Sequence, residues 1–380
     1  MVEAKTNLIH IAFESVEDPR NKLHVSHDLL DVLFIASSTV MANGEDYVDM
    51  AMFGRQHLDW LRRYVPLRNG VPSASCFRRT LELLDPEQLK RCLSEQFLQA
   101  IGGLMQQSPE RFVAVDGKKV RGQSPKSRGT KGLFLLHAVV HDNGICIGQK
   151  AVDGKSNEIT ALVPLLKELN LEATTVTTDA MGCQTEVVDY IRSQQADYLL
   201  ALKDNQGNLS EQTRESFRHC VVEQRHQEEW TKQHGRIERR VCELLPLSQA
   251  LISEVVREQW KDLATLIHVR SYREENGKVE EKSRYYISSH QEKSAAWFNR
   301  HIRTHWSIEN GLHWHLDVSF NEDAAKVRGR QASENLSILR KFCLNLAKIK
   351  KRELNLQFSI QKIRYRASLS TDFLTQLFQQ

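Results

Sequence analysis

From residue 23 to 105 the apolar positions recur every three or four residues, whereas from Arg111 they gather into short runs bounded by polar turns. The chain therefore changes there from a helical to an α/β texture. Asp28 stands where a cap is expected before the apolar run LLDVLFIASSTVMA, and Asn43-Gly44 closes that run. Asn69-Gly70 predicts a turn, Pro72-Ser73 opens a second helix through Cys76, Phe77 and Leu81, and Asp85-Pro86 opens a third through Leu89, Cys92 and Phe97. Short helices joined by tight turns, with Arg78 and Arg79 on the middle one, fit either a helix-turn-helix-like DNA reader or a small docking domain.

Past Arg111, Phe112-Val113-Ala114-Val115-Asp116 reads as a short strand ending in an acid, and Leu133 to Val140 and Ile145 to Val152 read as two more, joined by the turn Asp142-Asn143-Gly144. A helix over Glu158 to Leu169, a strand over Thr174 to Thr178 ending at Asp179, a helix over Glu186 to Gln195 and a strand over Asp197 to Leu202 follow. This order predicts an α/β fold with a mixed sheet flanked by helices. Residues 222–290 interrupt it with alternating β-branched or aromatic and charged positions and the hairpin signal Glu275-Asn276-Gly277, a β-rich insertion. Helical spacing resumes at Ala295 and runs through Trp306 and Glu309 to Trp314 and Leu316; a last helical region starts near Ala332. The expected organisation is a helical N-terminal domain over 1–105, an α/β domain over 106–325 carrying the insertion, and a basic helical region over 326–380.

Composition narrows the class. With 380 residues, 41% hydrophobic and 26% charged, disorder and fibre are excluded. The longest apolar run, Leu29 to Met41, is interrupted by Asp31 and three hydroxyl residues and falls short of the roughly 20 residues a bilayer span needs. The N-terminus has no signal-peptide core, and seven Cys without a CxxC pair argue for reduced thiols, so the cytoplasm is the expected location and membrane association is not expected. A net charge of +4 says little until it is localised. Residues 111–131 hold Arg111, Lys118, Lys119, Arg121, Lys126, Arg128 and Lys131 against Asp116 alone, and residues 326–366 hold twelve Lys or Arg against Glu334 and Glu353. Two basic segments on a near-neutral chain fit a bound polyanion; a solvated helix face and a solubilising tail fit them as well.

The acids carry the chemistry. Asp116 and Asp179 each follow strand-like sequence and precede a small residue, and acids at neighbouring strand ends, about 4.8 Å apart, can share a divalent ion; each is equally a common turn former or cap. Glu309, between Trp306 and Trp314, is the candidate third carboxylate, with Asp317 its rival eight residues on, about 12 Å along a regular helix. A pair of Mg²⁺ or Mn²⁺ ions held by such acids suits in-line displacement at phosphorus, while GxxxxGK[ST], GxGxxG and GxSxG are missing. Beside the acids, Lys118, Lys119 and Arg121 open a basic loop, Lys203 follows the Asp197 strand, and Trp306 is placed to stack a base or to pack in the core. His301 and His305, four apart, invite a zinc reading, against which HExxH and flanking Cys are missing.

The blocks VAVDGKKVRG, DGKSNEITA, TTDAMGCQ, YLLALKDNQGNL, HGRIERR, YYISS and HWSIENGLHWHLDVSFNEDA, in this order over nearly the whole chain, closely resemble the H-repeat-associated, ISAs-type insertion-sequence transposases of the DDE class. The resemblance implies an RNase H-like catalytic domain preceded by that family's associated domain, with a catalytic and metal-binding triad at Asp116, Asp179 and Glu309. It implies metal-dependent DNA cleavage at element ends and strand transfer into target DNA by two Mg²⁺ or Mn²⁺ ions, with double-stranded DNA as partner and a homodimer or larger assembly on it. Related enzymes carry Tyr, Arg and Lys around the glutamate at minus seven, minus four and plus seven, where this chain has Ile302, His305 and Leu316. Arg303, His305 and His313 are the candidate substitutes, and with Trp306, Lys118, Lys119, Arg121 and Lys203 they make the expected DNA-contacting set. An RNase H-like nuclease without strand transfer and an inactive DNA-binding relic are the competing readings.

Overall fold

The computed structural model describes residues 7–94, 110–121, 133–152, 158–233, 236–275, 277–325, 327 and 329–379. Phe97, Asn276, Lys126, Arg128 and Lys131, as well as Lys326 and Arg328 of the second basic segment, lie outside the described residues. The N-terminal part holds α1 (Leu8–Phe13), α2 (Leu29–Met41), α3 (Tyr47–Gln56), α4 (Leu58–Leu61), α5 (Ala74–Leu83) and α6 (Pro86–Cys92). Local chemistry sets their starts. Ser73 Oγ accepts the Cys76 amide at 3.2 Å, Asp85 Oδ1 accepts that of Glu87 at 3.0 Å, and Asp46 with Asp49 forms a reciprocal capping box that the sequence reading passed over. Helix α2 is apolar nearly all round and accordingly buried from Asp31 to Met41.

Next come β1 (Arg111–Val120), β2 (Leu133–Val140), β3 (Cys146–Val152), α7 (Glu158–Leu166), β4 (Thr174–Thr178), α8 (Thr185–Ser193), β5 (Asp197–Leu202) and α9 (Gly207–His219). The expected insertion contains β6 (Gln224–Gln227), β7 (Thr231–Gln233), β8 (Arg236–Pro246), α10 (Glu254–Gln259), β9 (Thr265–Glu275) and β10 (Lys278–Ser288). The strands form one sheet in the order β3-β2-β1-β4-β5-β10-β9-β8-β6, with β7 pairing β8. Strands β1, β4 and β5 run parallel to one another and the other pairings are antiparallel, which is the mixed, RNase H-like sheet the resemblance implies. Because β10 pairs with β5, Tyr286 opposite Ala201, the insertion prolongs the central sheet instead of standing apart from it.

The chain closes with α11 (Ala295–His305), α12 (Arg330–Glu353), α13 (Ile360–Leu369) and α14 (Thr371–Phe378). Here the sequence expectation is corrected: the last region is no basic tail. Helix α12 is buried along most of its length, and Arg340, Lys341, Lys350 and Arg364 are interior groups. Asn335 Nδ2 donates to the carbonyls of Leu81 and Leu84 at 2.9 and 2.8 Å, Arg364 Nε and Nη2 donate to that of Val40 at 3.1 and 2.8 Å, and Trp60 Nε1 donates to Thr375 Oγ1 at 2.9 Å. First and last helices thus make one unit, whose core runs on into the sheet. No helix among the described residues is long and apolar enough to cross a membrane.

Candidate active site

Strands β1 and β4 run in register, Val115 opposite Thr178, but β4 stops there while β1 continues against β2 to Val120. Asp116 is the first residue of β1 past its last pair with β4, and Asp179 follows the last residue of β4, so the two acids flank the point where the strands part. Both serve locally: Asp116 Oδ1 accepts the Gly117 amide at 2.9 Å, and Asp179 Oδ1 accepts those of Met181 and Gly182 at 3.0 and 3.3 Å, so Asp179 does act as a cap. After α11 the chain widens into two π-type turns, Glu309–His313 and His315–Ser319, where the spacing predicted regular helix. Glu309 lies at the first of them.

All three acids line one cavity of about 190 Å³, together with Lys203, Arg284, Tyr286, His305 and Trp306. Asp179 and Glu309 are exposed and Asp116 is half-buried. Burial pushes the Asp116 carboxyl up, the Gly117 N–H pulls it down, and the charges of Asp179, Glu309 and Glu158 push it up again, to about 7. Glu158, buried at the start of α7, is a fourth carboxylate that the sequence reading passed over. A Cβ on Gly117 would stand 2.9 Å from its Oε1, so this carboxylate packs directly against the glycine of β1 and would have to shift for any larger residue.

Asp317 does not compete for the cavity. Its Oδ1 lies 2.7 Å from Lys118 Nζ, and the same ammonium is 3.0 Å from Glu322 Oε2 and 3.4 Å from Asp323 Oδ1. Lys118, expected on DNA, is only 6% exposed and its charge is used within the fold. His313 is likewise relocated. Its Nδ1 is 3.7 Å from Asp116 Oδ2 and its Nε2 is 3.1 Å from His137 Nδ1, behind the acid and not on a nucleic-acid surface. Burial lowers the His313 pKa to about 3 and that of His305 to about 4, so both are neutral rings at pH 7 and supply no cation for phosphate. His305 Nδ1 pairs with Thr177 Oγ1 at 2.9 Å, whereas His301 stacks on Phe112 at 4.0 Å; the two do not form a zinc pair. Lys119, Arg121, Lys203, Arg303 and Trp306 remain on the surface, Arg121 with Asp323 at 3.6 Å and Arg303 with Glu228 at 3.8 Å.

Residues 107–346, which contain all three acids, match the family profile described as "Transposase DDE domain", and residues 10–96 match the one described as "DDE_Tnp_1-associated". The chain belongs to the DDE transposase family. It is 32% identical over 377 residues to "Putative transposase YncI" of Escherichia coli O157:H7, covering 95% of this chain and 92% of that protein. It is 33% identical over 352 residues to "H repeat-associated putative transposase YhhI" of Escherichia coli (strain K12), covering 91% of each. Among solved structures, a piggyBac transposase synaptic complex with hairpin DNA aligns with 97% of this chain and 77% of its own at 12% identity and a TM-score of 0.43.

In this transposase the helper places around Glu309 hold the buried Ile302 and Leu316, which offer no polar group. Polar reach into the cavity comes instead from β10, through Arg284 and Tyr286, two residues the sequence reading left out. The signal was there in the alternation of Arg284, Tyr286 and Ser288 on one strand face, but it acquires meaning only once β10 is known to lie beside β5. Among the described residues no three His, Cys, Asp or Glu groups are already drawn together tightly enough to hold an ion. The donor set nevertheless fits a hard divalent cation: its groups are carboxylates, two of them exposed and able to turn, and their mutual repulsion is what such a cation would relieve.

Proposed function

We propose that this transposase cuts DNA at the ends of its mobile element and transfers the freed strands into target DNA, with Asp116, Asp179 and Glu309 holding Mg²⁺ or Mn²⁺. The observation that carries this reading is the convergence of three acids from β1, β4 and the chain after α11 on one cavity, with the Asp116 carboxyl raised to about 7. Divalent cations held by these carboxylates would supply activation of the attacking oxygen and stabilisation of the leaving one. Asp116, whose Oδ1 accepts the Gly117 amide, and Asp179 and Glu309, which line the same cavity, would be the groups that hold the cations. Lys203 at the rim, with Lys119 and Arg121 farther out on the surface, draws in the phosphate backbone. Joining two element ends calls for two or more copies on the DNA.

The test is incubation of the protein with Mn²⁺ and duplexes from the DNA flanking its reading frame. Joined products are expected from the wild type, while Asp116→Asn, Asp179→Asn and Glu309→Gln retain the DNA without cutting it. Cuts without joining would leave a nuclease, and retention without cutting by the wild type would leave a binding protein.

A further inference from the structure

Three carboxylates repel a phosphodiester, so a cavity that takes DNA needs cations at its mouth. The segment carrying Glu309 supplies none: Ile302 is apolar, His305 is neutral, and Arg303 is turned to Glu228. The cations lining the cavity among the described residues are Lys203 and Arg284. The antiparallel register that sets Tyr285 opposite Leu202 brings Arg284 level with Lys203, so the two stand side by side where β5 ends. Arg284 is exposed, its guanidinium lies 5.2 Å from the centre of the Trp306 ring, and the Tyr286 side chain is within hydrogen-bonding reach. Arginines of the neighbouring strand β9 are taken up by acids, Arg270 by Glu243 at 2.6 Å and Arg273 by Glu238 at 3.1 Å. Among the described residues no carboxylate pairs with Arg284.

We propose that Arg284 is the phosphate-binding residue of this site: its planar guanidinium, shelved on Trp306 and flanked by Lys203, holds a DNA phosphate at the mouth of the acid-lined cavity. The inference rests on the reading of the substrate as DNA and deepens it by assigning to a strand of the insertion the cation that the glutamate-bearing helix lacks. Planarity and stacking matter here, because a guanidinium presents two parallel N–H donors to a phosphate and lies flat on an indole, while an ammonium does neither.

The full chain, its Arg284→Ala and Arg284→Lys forms and Trp306→Ala are titrated with a short oligothymidylate at several salt concentrations, and each is then given element-end duplex and Mn²⁺. Because Arg284 is exposed, circular dichroism should show all forms folded. Arg284→Ala is expected to weaken oligothymidylate binding about tenfold or more and to lower the salt slope by about one phosphate. Arg284→Lys is expected to restore the slope but not the full affinity, and Trp306→Ala to weaken binding without changing the slope. Binding and slope unchanged in Arg284→Ala overturn the proposal, even if the wild type cuts and joins. If the wild type binds through Arg284 yet never cuts, the phosphate site stands and the transposition reading falls.

Discussion

Lys118 Nζ lies 3.0 Å from Glu322 Oε2, and this buried pair ties the strand of Asp116 to the helical unit. Lys118 is two residues beyond Asp116 and shares its face of β1, and Glu322 Oε1 in turn accepts the Ser337 hydroxyl of α12 at 2.6 Å. The position of β1 relative to the terminal helices is thereby fixed by ionic contacts two residues from Asp116.

Replacing Lys118 by Met is expected to destabilise the protein by about 3–5 kcal/mol, because removing one partner leaves Glu322 charged in the interior. Urea unfolding of the metal-free protein measures this. Unchanged stability with weaker DNA binding would return Lys118 to the DNA surface.

Acid should dissolve the same tie. Burial by itself would raise the Glu322 carboxyl, but Lys118, Lys341, Arg340 and the Ser337 hydroxyl hold it at about 2, below its ordinary 4.5. A carboxyl with a depressed folded pKa stabilises the native state above its unfolded pKa and loses that contribution as pH falls through the window between the two values. Stability is therefore expected to decline from about pH 5 towards pH 2, by an amount on the order of 3 kcal/mol from this group. In Glu322→Gln, unfolding free energies over the same range should show a shallower slope; an equal slope would assign the acid sensitivity elsewhere.

The acid cavity has the opposite sign. Asp116 is raised from 3.8 to about 7, chiefly by burial and by its acidic neighbours, so deprotonation costs the apo protein stability as pH rises through that interval. Asp116→Asn should then unfold at higher temperature than the wild type at pH 7, by an amount worth about 1–3 kcal/mol, while cleavage is expected to be lost. Millimolar Mn²⁺ should raise the wild-type midpoint and leave that of Asp116→Asn nearly unmoved, since a ligand stabilises only the state that binds it. Equal responses in the two proteins would remove the metal from this site.

Much of this architecture was legible before folding. Strand Thr174–Thr178, the Asp142-Asn143-Gly144 turn and the run Leu29–Met41 are local patterns, and each was observed where the sequence placed it. Asp116 and Asp179 were visible as acids closing apolar strands, a place that turn formers and caps also take, and Glu309 as the acid between two tryptophans; the family resemblance is what joined the three. Lys118 and α12 misled because a lysine in a basic run looks solvated until Asp317, Glu322 and Asp323 arrive from some 200 residues away. Arg284 and Glu158 were passed over for the same reason: what gives them meaning is a neighbouring strand or a glycine, and strand order is not written in a local period.

The C-terminal helices make the sharpest contrast between a tail and a core. Leu374 and Leu377 are fully buried, Phe373 and Phe378 nearly so, and the Phe378 ring lies 6.3 Å from Phe34 of α2. Leu374→Ala is expected to lower stability by about 2–5 kcal/mol, the range for emptying a large apolar site. Chain ended after residue 325 would lose α12, against which α2, α5 and α6 pack, and is expected to expose the N-terminal core and to lose cooperative unfolding. Circular dichroism and limited proteolysis decide it: a truncated protein that melts cooperatively and differs only in its salt-dependent DNA binding would restore the reading of this region as a basic arm.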